Sequence, residues 1–138
     1  MVELSQPGHL TDVAIEIGIA RGEWGGGAAS VTLDIESKHC NKGGVAHGGL
    51  YTMMLDMALG GSLVSILPKS EWCATTQLNV SFITAAKPGE KITAKGNVVK
   101  RGRNVAHLEG KITTESGRVV ATSTGTWAIW DHKPASMS

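Results

Sequence analysis

Cysteine is scarce in this 138-residue chain: Cys40 and Cys73 are the only two, too few to staple a small secreted scaffold. Charge of one sign is scarce as well. Thirteen Lys and Arg stand against twelve Asp and Glu, a formal net charge of +1, so the chain has no electrostatic footprint for nucleic acid. Met1 to Leu10 lacks both the basic start and the apolar run of a secretory leader. The G-x-S-x-G elbow of serine hydrolases is missing, and so is a phosphate-binding P-loop. His39, Cys40 and His47 do not have the paired spacing of common zinc sites, so neither a metal nor a redox cofactor is expected. A long apolar run occurs once, at Leu50 to Leu67. Asp56, Gly60 and Gly61 interrupt it. An Asp near the middle of a lone span is costly, so the expected setting is soluble, reducing and cytoplasmic.

What is present is globular in composition, at 41% hydrophobic and 18% charged residues. The length suits one domain over residues 1–138, with a core over about 12–130 and a loose tail at 131–138. Ala14–Arg21 and Ala28–Ile35 alternate apolar and polar positions, and Trp24 to Gly27 lies between them, which predicts a hairpin. Glu36–Gly44 is a polar, glycine-ended loop. From His47 the pattern changes to one apolar nearly all round, which predicts a buried helix ending before Pro68. Strand alternation returns in Thr75–Thr84, Lys91–Lys100, Asn104–Thr114 and Val119–Trp130, separated by short turn sequences. The order β-β-α-β-β-β-β predicts an α+β fold, an antiparallel sheet of five to six strands wrapped around one long helix.

The segment Asn41 to Asp56, NKGGVAHGGLYTMMLD, carries the chemistry. Asp56 stands among Met53, Met54, Leu55, Met57 and Leu59, where a buried, unpaired carboxylate would cost several kcal/mol. Structural roles remain open: it can accept a bond from Thr52 or pair with a cation elsewhere. His47-Gly48-Gly49 begins the helix, where N–H groups have no intrahelical partner and glycine lets a ligand approach. Such donors can form an oxyanion hole, or the glycines can simply turn the chain. Gly48 and Asp56 are eight residues apart, about 12 Å along a helix axis, too far to act on one carbonyl carbon. If one site uses both, a second copy of the helix must run antiparallel alongside, and a dimer with two shared sites follows.

The same residues resemble the hotdog-fold acyl-CoA thioesterases, in particular the PaaI-like branch of phenylacetate degradation. Asn41, His47-Gly48-Gly49 and Asp56 match that branch in type and spacing, and the resemblance continues through TTQLNVSFITAAKPGE, VVKRGRNVAHLEGKI and ATSTGTWAI. It implies hydrolysis of an aryl- or medium-chain acyl-CoA to the free acid and CoA. It also implies roles: Gly48 N–H and Asn41 polarise the carbonyl, His47 holds Asn41, Asp56 of the other chain is base or nucleophile, and Thr75 helps place water. Gly49, Lys100, Arg101 and Arg103 are the candidate substrate and CoA contacts, since arginine forks onto phosphate oxygens. A homodimer, paired into a tetramer, is the expected assembly. The alternatives are a non-catalytic acyl-CoA binding or sensing protein, and a hotdog hydratase or dehydratase.

Overall fold

The computed structural model describes residues 2–137. A short helix α1 (Asp12–Ile17) leads into strands β1 (Ala20–Gly25) and β2 (Ala28–Asp34). The long helix α2 (Gly48–Val64) follows, and then β3 (Trp72–Phe82), β4 (Lys91–Arg101), β5 (Val105–Thr114) and β6 (Val119–Trp130). The six strands form one antiparallel sheet in the order β1-β2-β4-β5-β6-β3. This is the expected hotdog arrangement, with one local correction. Ala14–Arg21 is not a continuous strand: residues 12–17 are helical, and the strand starts only at Ala20. Gly18, with φ 102°, closes α1 by donating to the carbonyls of Ala14 and Ile15, a left-handed cap that glycine adopts at little cost. The alternation of apolar residues there marks Ala14 facing the core while Val13 and Ile15 stay exposed.

The core lies between α2 and the inner face of the sheet. Tyr51, Met54, Leu55, Ala58, Leu59, Ser62 and Leu63 point into it from the helix. Val31, Leu33, Ile92, Ala94, Leu108, Ile112, Ala121 and Trp127 meet them from the strands. Where the middle of α2 crosses the sheet, two cross-strand partners are glycines, Gly96 of β4 and Gly110 of β5. A Cβ on Gly96 would stand 2.9 Å from both the Ala58 carbonyl oxygen and the Ser62 hydroxyl. The helix backbone therefore rests directly on the sheet. Gly60 and Gly61, costly inside a helix, face Trp127 in one case and Trp24 with Ala29 in the other, side chains of the chain's own sheet.

β3 is one edge of the sheet. Its eleven residues pair with β6 on one side only, leaving a long row of backbone donors and acceptors unpaired on the other. No helix among the described residues is long and apolar enough to cross a membrane.

Adding a methyl group at Gly96 should lift α2 off the sheet. Gly96→Ala is expected to lose about 1–3 kcal/mol, read as a lowered midpoint in urea unfolding. An unchanged midpoint would mean that the close approach carries no constraint.

Candidate functional site

Helix α2 is not buried on every side. Gly49 and Asp56 are exposed and Thr52, Met53, Met57 and Gly60 half-exposed, a stripe at helical spacing on the face turned from the core. Asp56 is thus not the buried carboxylate expected from its neighbours: in a single chain it meets solvent. Its partner is not Thr52, whose hydroxyl donates weakly to the Gly48 carbonyl at 3.4 Å. Instead the Thr75 hydroxyl on the edge strand donates to Asp56 Oδ1 at 2.6 Å.

A bulge in β3 makes that contact possible. The β3–β6 register jumps between Thr75, opposite Trp127, and Gln77, opposite Thr126. Thr76 is the extra residue, and its hydroxyl donates to the Thr126 carbonyl at 2.9 Å. An inserted residue shifts the alternation of side chains by one. Cys73 and Thr75 before it, and Leu78 and Val80 after it, therefore face the helix side of the edge strand together; Cys73, Leu78 and Val80 pack against the core.

The expected donor end is assembled from backbone. Gly48 is the first residue of α2 and His47 its N-cap. The Phe82 ring lies so close to Gly48 that a Cβ there would stand 3.0 Å from its Cε1, so a side chain at that position would have to push the ring aside. Asn41 sits in the exposed loop ahead of the helix. Its Oδ1 accepts the Gly43 N–H at 2.9 Å, so the amide nitrogen is the end left for a ligand, with the orientation assigned from this bond. The imidazole of His47 makes no hydrogen bond to Asn41 among the described residues; its backbone N–H donates to the His39 carbonyl at 3.0 Å.

His39, weighed in the sequence only as a metal ligand and set aside, anchors this loop. It is 4% exposed. Its Nδ1 accepts the Glu36 N–H at 2.9 Å and its Nε2 faces the Ile17 carbonyl at 2.7 Å. An accepting Nδ1 requires the proton on Nε2, which fixes the neutral tautomer. The Glu36-x-x-His39 spacing, that of a capping box, was the available signal. Tyr51, Ala86 and Arg118, which secure the other flank, gave none.

The basic residues expected for phosphate lie at the far end of the sheet. Lys100 and Arg101 end β4 and Arg103 stands in the following turn, all exposed. Arg101 is already paired with Glu71 at 2.6 Å. Arg103 lines a groove of about 560 Å³ with Glu71, Asn104, Trp130 and Asp131.

Residues 43–121 match the model of the thioesterase superfamily. A Pseudomonas aeruginosa protein described as a candidate esterase is 31% identical over 99 residues, 72% of this chain and 73% of that one. The mouse acyl-coenzyme A thioesterase 13 is 24% identical over 90 residues, 64% of each chain, so the match spans just under two thirds of that relative. Among solved structures, the Escherichia coli PaaI protein from the phenylacetic acid degradation operon superposes with a TM-score of 0.80 at 20% identity, covering 86% of this chain and 83% of its own.

Cys73, two residues before Thr75, is the one nucleophilic thiol near the carboxylate. It is 7% exposed, and burial pushes its thiol up to about 11. A thiol raised in this way is un-ionised at neutral pH and unfit for thiolate attack. Because burial disfavours the thiolate, the folded state is favoured below the ordinary thiol range and loses that advantage as pH climbs toward 11. Iodoacetamide at pH 8 is expected to leave Cys73 unmodified in the folded protein and to label it after denaturation, with Cys40 as internal comparison by peptide mass. Labelling of native Cys73 at the rate of a free thiol would contradict this.

Proposed function

This chain belongs to the thioesterase superfamily and is a thioester hydrolase of the hotdog fold, and from that premise we propose that it hydrolyses acyl-coenzyme A at sites shared between two copies. The observation that carries the reading is the Asp56 carboxylate, hydrogen-bonded by Thr75 and presented on the one face of α2 that its own sheet leaves uncovered.

In this reading the thioester oxygen receives the Gly48 N–H and the Asn41 amide of one chain, and Asp56 of the other acts as general base. Asp56 takes a proton from water as the water oxygen bonds to the carbonyl carbon. The developing oxyanion is stabilised by fixed backbone dipoles. When the intermediate collapses, the C–S bond breaks, the coenzyme A sulfur gains a proton, and the free acid remains. With one carboxylate oxygen held by the Thr75 hydroxyl, Oδ2 is the atom directed at water. His47 shapes the donor loop through its backbone, and Gly49 leaves the first helical turn open to substrate.

The need for a second chain follows from distance. Gly48 and Asp56 stay about 12 Å apart along α2. An unpaired β3 edge flanked by half-buried Leu78 and Val80 supports antiparallel pairing with a copy of itself, which brings the Phe82 end of one chain, with Gly48, toward the Trp72 end of the other. The same pairing brings Lys100 and Arg103 of that end within reach of a ligand held at Gly48, for the phosphates of coenzyme A. Arg101 would have to leave Glu71 to join them. Met53 and Met57, half-exposed on the same face, supply an adaptable apolar wall for an aryl or medium-chain acyl group.

Asp56→Asn should lower kcat for acyl-CoA hydrolysis about 10²- to 10⁴-fold, the range expected for loss of a general base, with thiol release followed by a disulfide reagent across a panel of aryl- and fatty-acyl-CoAs. Light scattering is expected to give a dimer or a tetramer built from dimers. Wild-type turnover by Asp56→Asn, or full activity in a monomer, would sink the proposal.

A further inference from the structure

The connection between β3 and β4, residues 83–90, has no strand or helix of its own, yet it touches the donor end of α2 at two points. The Ala86 carbonyl accepts the Ala46 N–H at 2.9 Å, two residues before Gly48. The Ala86 N–H donates to the Tyr51 hydroxyl at 3.0 Å, in the first turn of the helix. Ala86 is fully buried. Its place therefore fixes the peptides that lead into Gly48.

The segment on either side of Ala86 is held by Arg118, a residue of the β5–β6 turn remote in sequence from every site residue. One guanidinium nitrogen donates to the Thr84 hydroxyl at 2.8 Å and to the Ala85 carbonyl at 2.7 Å, and the other to the Glu90 carboxylate at 2.6 Å. Glu90 in turn accepts the Lys87 N–H at 2.9 Å. Those bonds, Arg118's first, hold the Glu90 carboxyl below its usual range. One planar fork thus spans both ends of the connection, a task a lysine ammonium cannot reproduce. The Thr84 hydroxyl is further fixed by donating to the Val119 carbonyl at 2.8 Å.

We propose that Arg118 is a positioning residue for the Gly48 oxyanion donor, acting through Ala86 on Ala46 and Tyr51. This rests on the reading that the Gly48 N–H receives the thioester oxygen. Donor geometry must hold within about half an ångström for full effect. The Cys40–Ala46 bridge and the His47–His39 bond fix one flank of the loop ahead of α2, and the bonds to Ala86 fix the other. The clasp holds the Ala86 segment from the neighbouring turn.

The test compares Arg118→Ala, Arg118→Lys, Tyr51→Phe and the Arg118→Ala/Tyr51→Phe pair in kcat, KM and Tm, with acyl-CoA as substrate well below each Tm. Arg118→Ala is expected to lower kcat about ten-fold with KM within about three-fold, a loss on the scale that small misplacements cause. Arg118→Lys should fall between Arg118→Ala and wild type. Because Tyr51 and Arg118 act through the same residue, the double variant should lose little more kcat than Arg118→Ala alone. Wild-type kcat in Arg118→Ala, whatever its Tm, overturns the inference, as do independent, multiplying kcat losses in the double variant. If Arg118→Ala does not fold, Arg118→Lys and Glu90→Gln carry the same comparison: kcat lowered with KM steady supports positioning, and lowered Tm alone overturns it. Asp56→Asn run in parallel separates the two readings. If Asp56→Asn is inactive and the Arg118 variants turn over normally, only the positioning fails; if Asp56→Asn is active, the underlying site is wrong.

Discussion

Laying a helix backbone directly on a sheet requires that side chains be missing where the two cross. Gly96 and Gly110, paired across β4 and β5, provide that gap; Ala58 and Ser62 of the helix fill it over Gly96 and Leu59 over Gly110. Close packing of this kind leaves little freedom to rotate the helix about its axis, because interiors tolerate neither voids nor overlap. The rotation decides which residues face away. With Ala58 and Leu59 turned to the sheet, Asp56 and Gly49 are turned from it, and Met53, Met57 and Gly60 with them. The outward placement of the Asp56 carboxylate is thus a consequence of two glycines on β4 and β5.

The edge strand is the second determinant. A regular β3 would carry its alternation unbroken from Cys73 to Phe82. The extra residue at Thr76 breaks it, so Thr75 and Leu78 lie on the same side and the Thr75 hydroxyl reaches Asp56. The bulge is held by a bond from Thr76 to the β6 backbone. One residue therefore sets the geometry of the carboxylate, while the flank beyond it remains open, with unpaired backbone and half-buried Leu78 and Val80. Long exposed edges invite pairing, and here the edge lies beside the residue that the proposed chemistry requires from a second chain.

Much of this was legible in the sequence. Alternation gave five of the six strands and α2 nearly to its ends, because strands and helices of this length impose strong periods. The exception, residues 14–17, shows the limit: a helix of one and a half turns has too few residues to separate a period of 3.6 from one of 2. Thr75 was accessible only through resemblance, since no local pattern reveals that a bulge re-aims a side chain. The Arg118 clasp left no sequence signal and the His39 anchor only the Glu36-x-x-His39 spacing, for another reason. Their bonds run largely to backbone carbonyls and N–H groups, and a backbone partner leaves no residue type to read.

The burial expected of Asp56 from its neighbours is not met in the single chain, where the carboxylate is exposed. Apolar neighbours at 53, 54, 55, 57 and 59 suggested a carboxylate enclosed by its own core. In fact Met54, Leu55 and Leu59 are buried and Met53 and Met57 are half-exposed beside it, so the helix has two apolar faces and the acid lies on the outer one. An apolar outer face left in water is not stabilised by its own fold; its cost is offset only when something covers it. If a second copy does so, the carboxylate is desolvated at assembly rather than at folding, and the Thr75 hydroxyl already bonded to it compensates part of that penalty. In the proposed dimer the apolar surroundings of Asp56 would come from two chains, and each chain would fold without burying its own carboxylate.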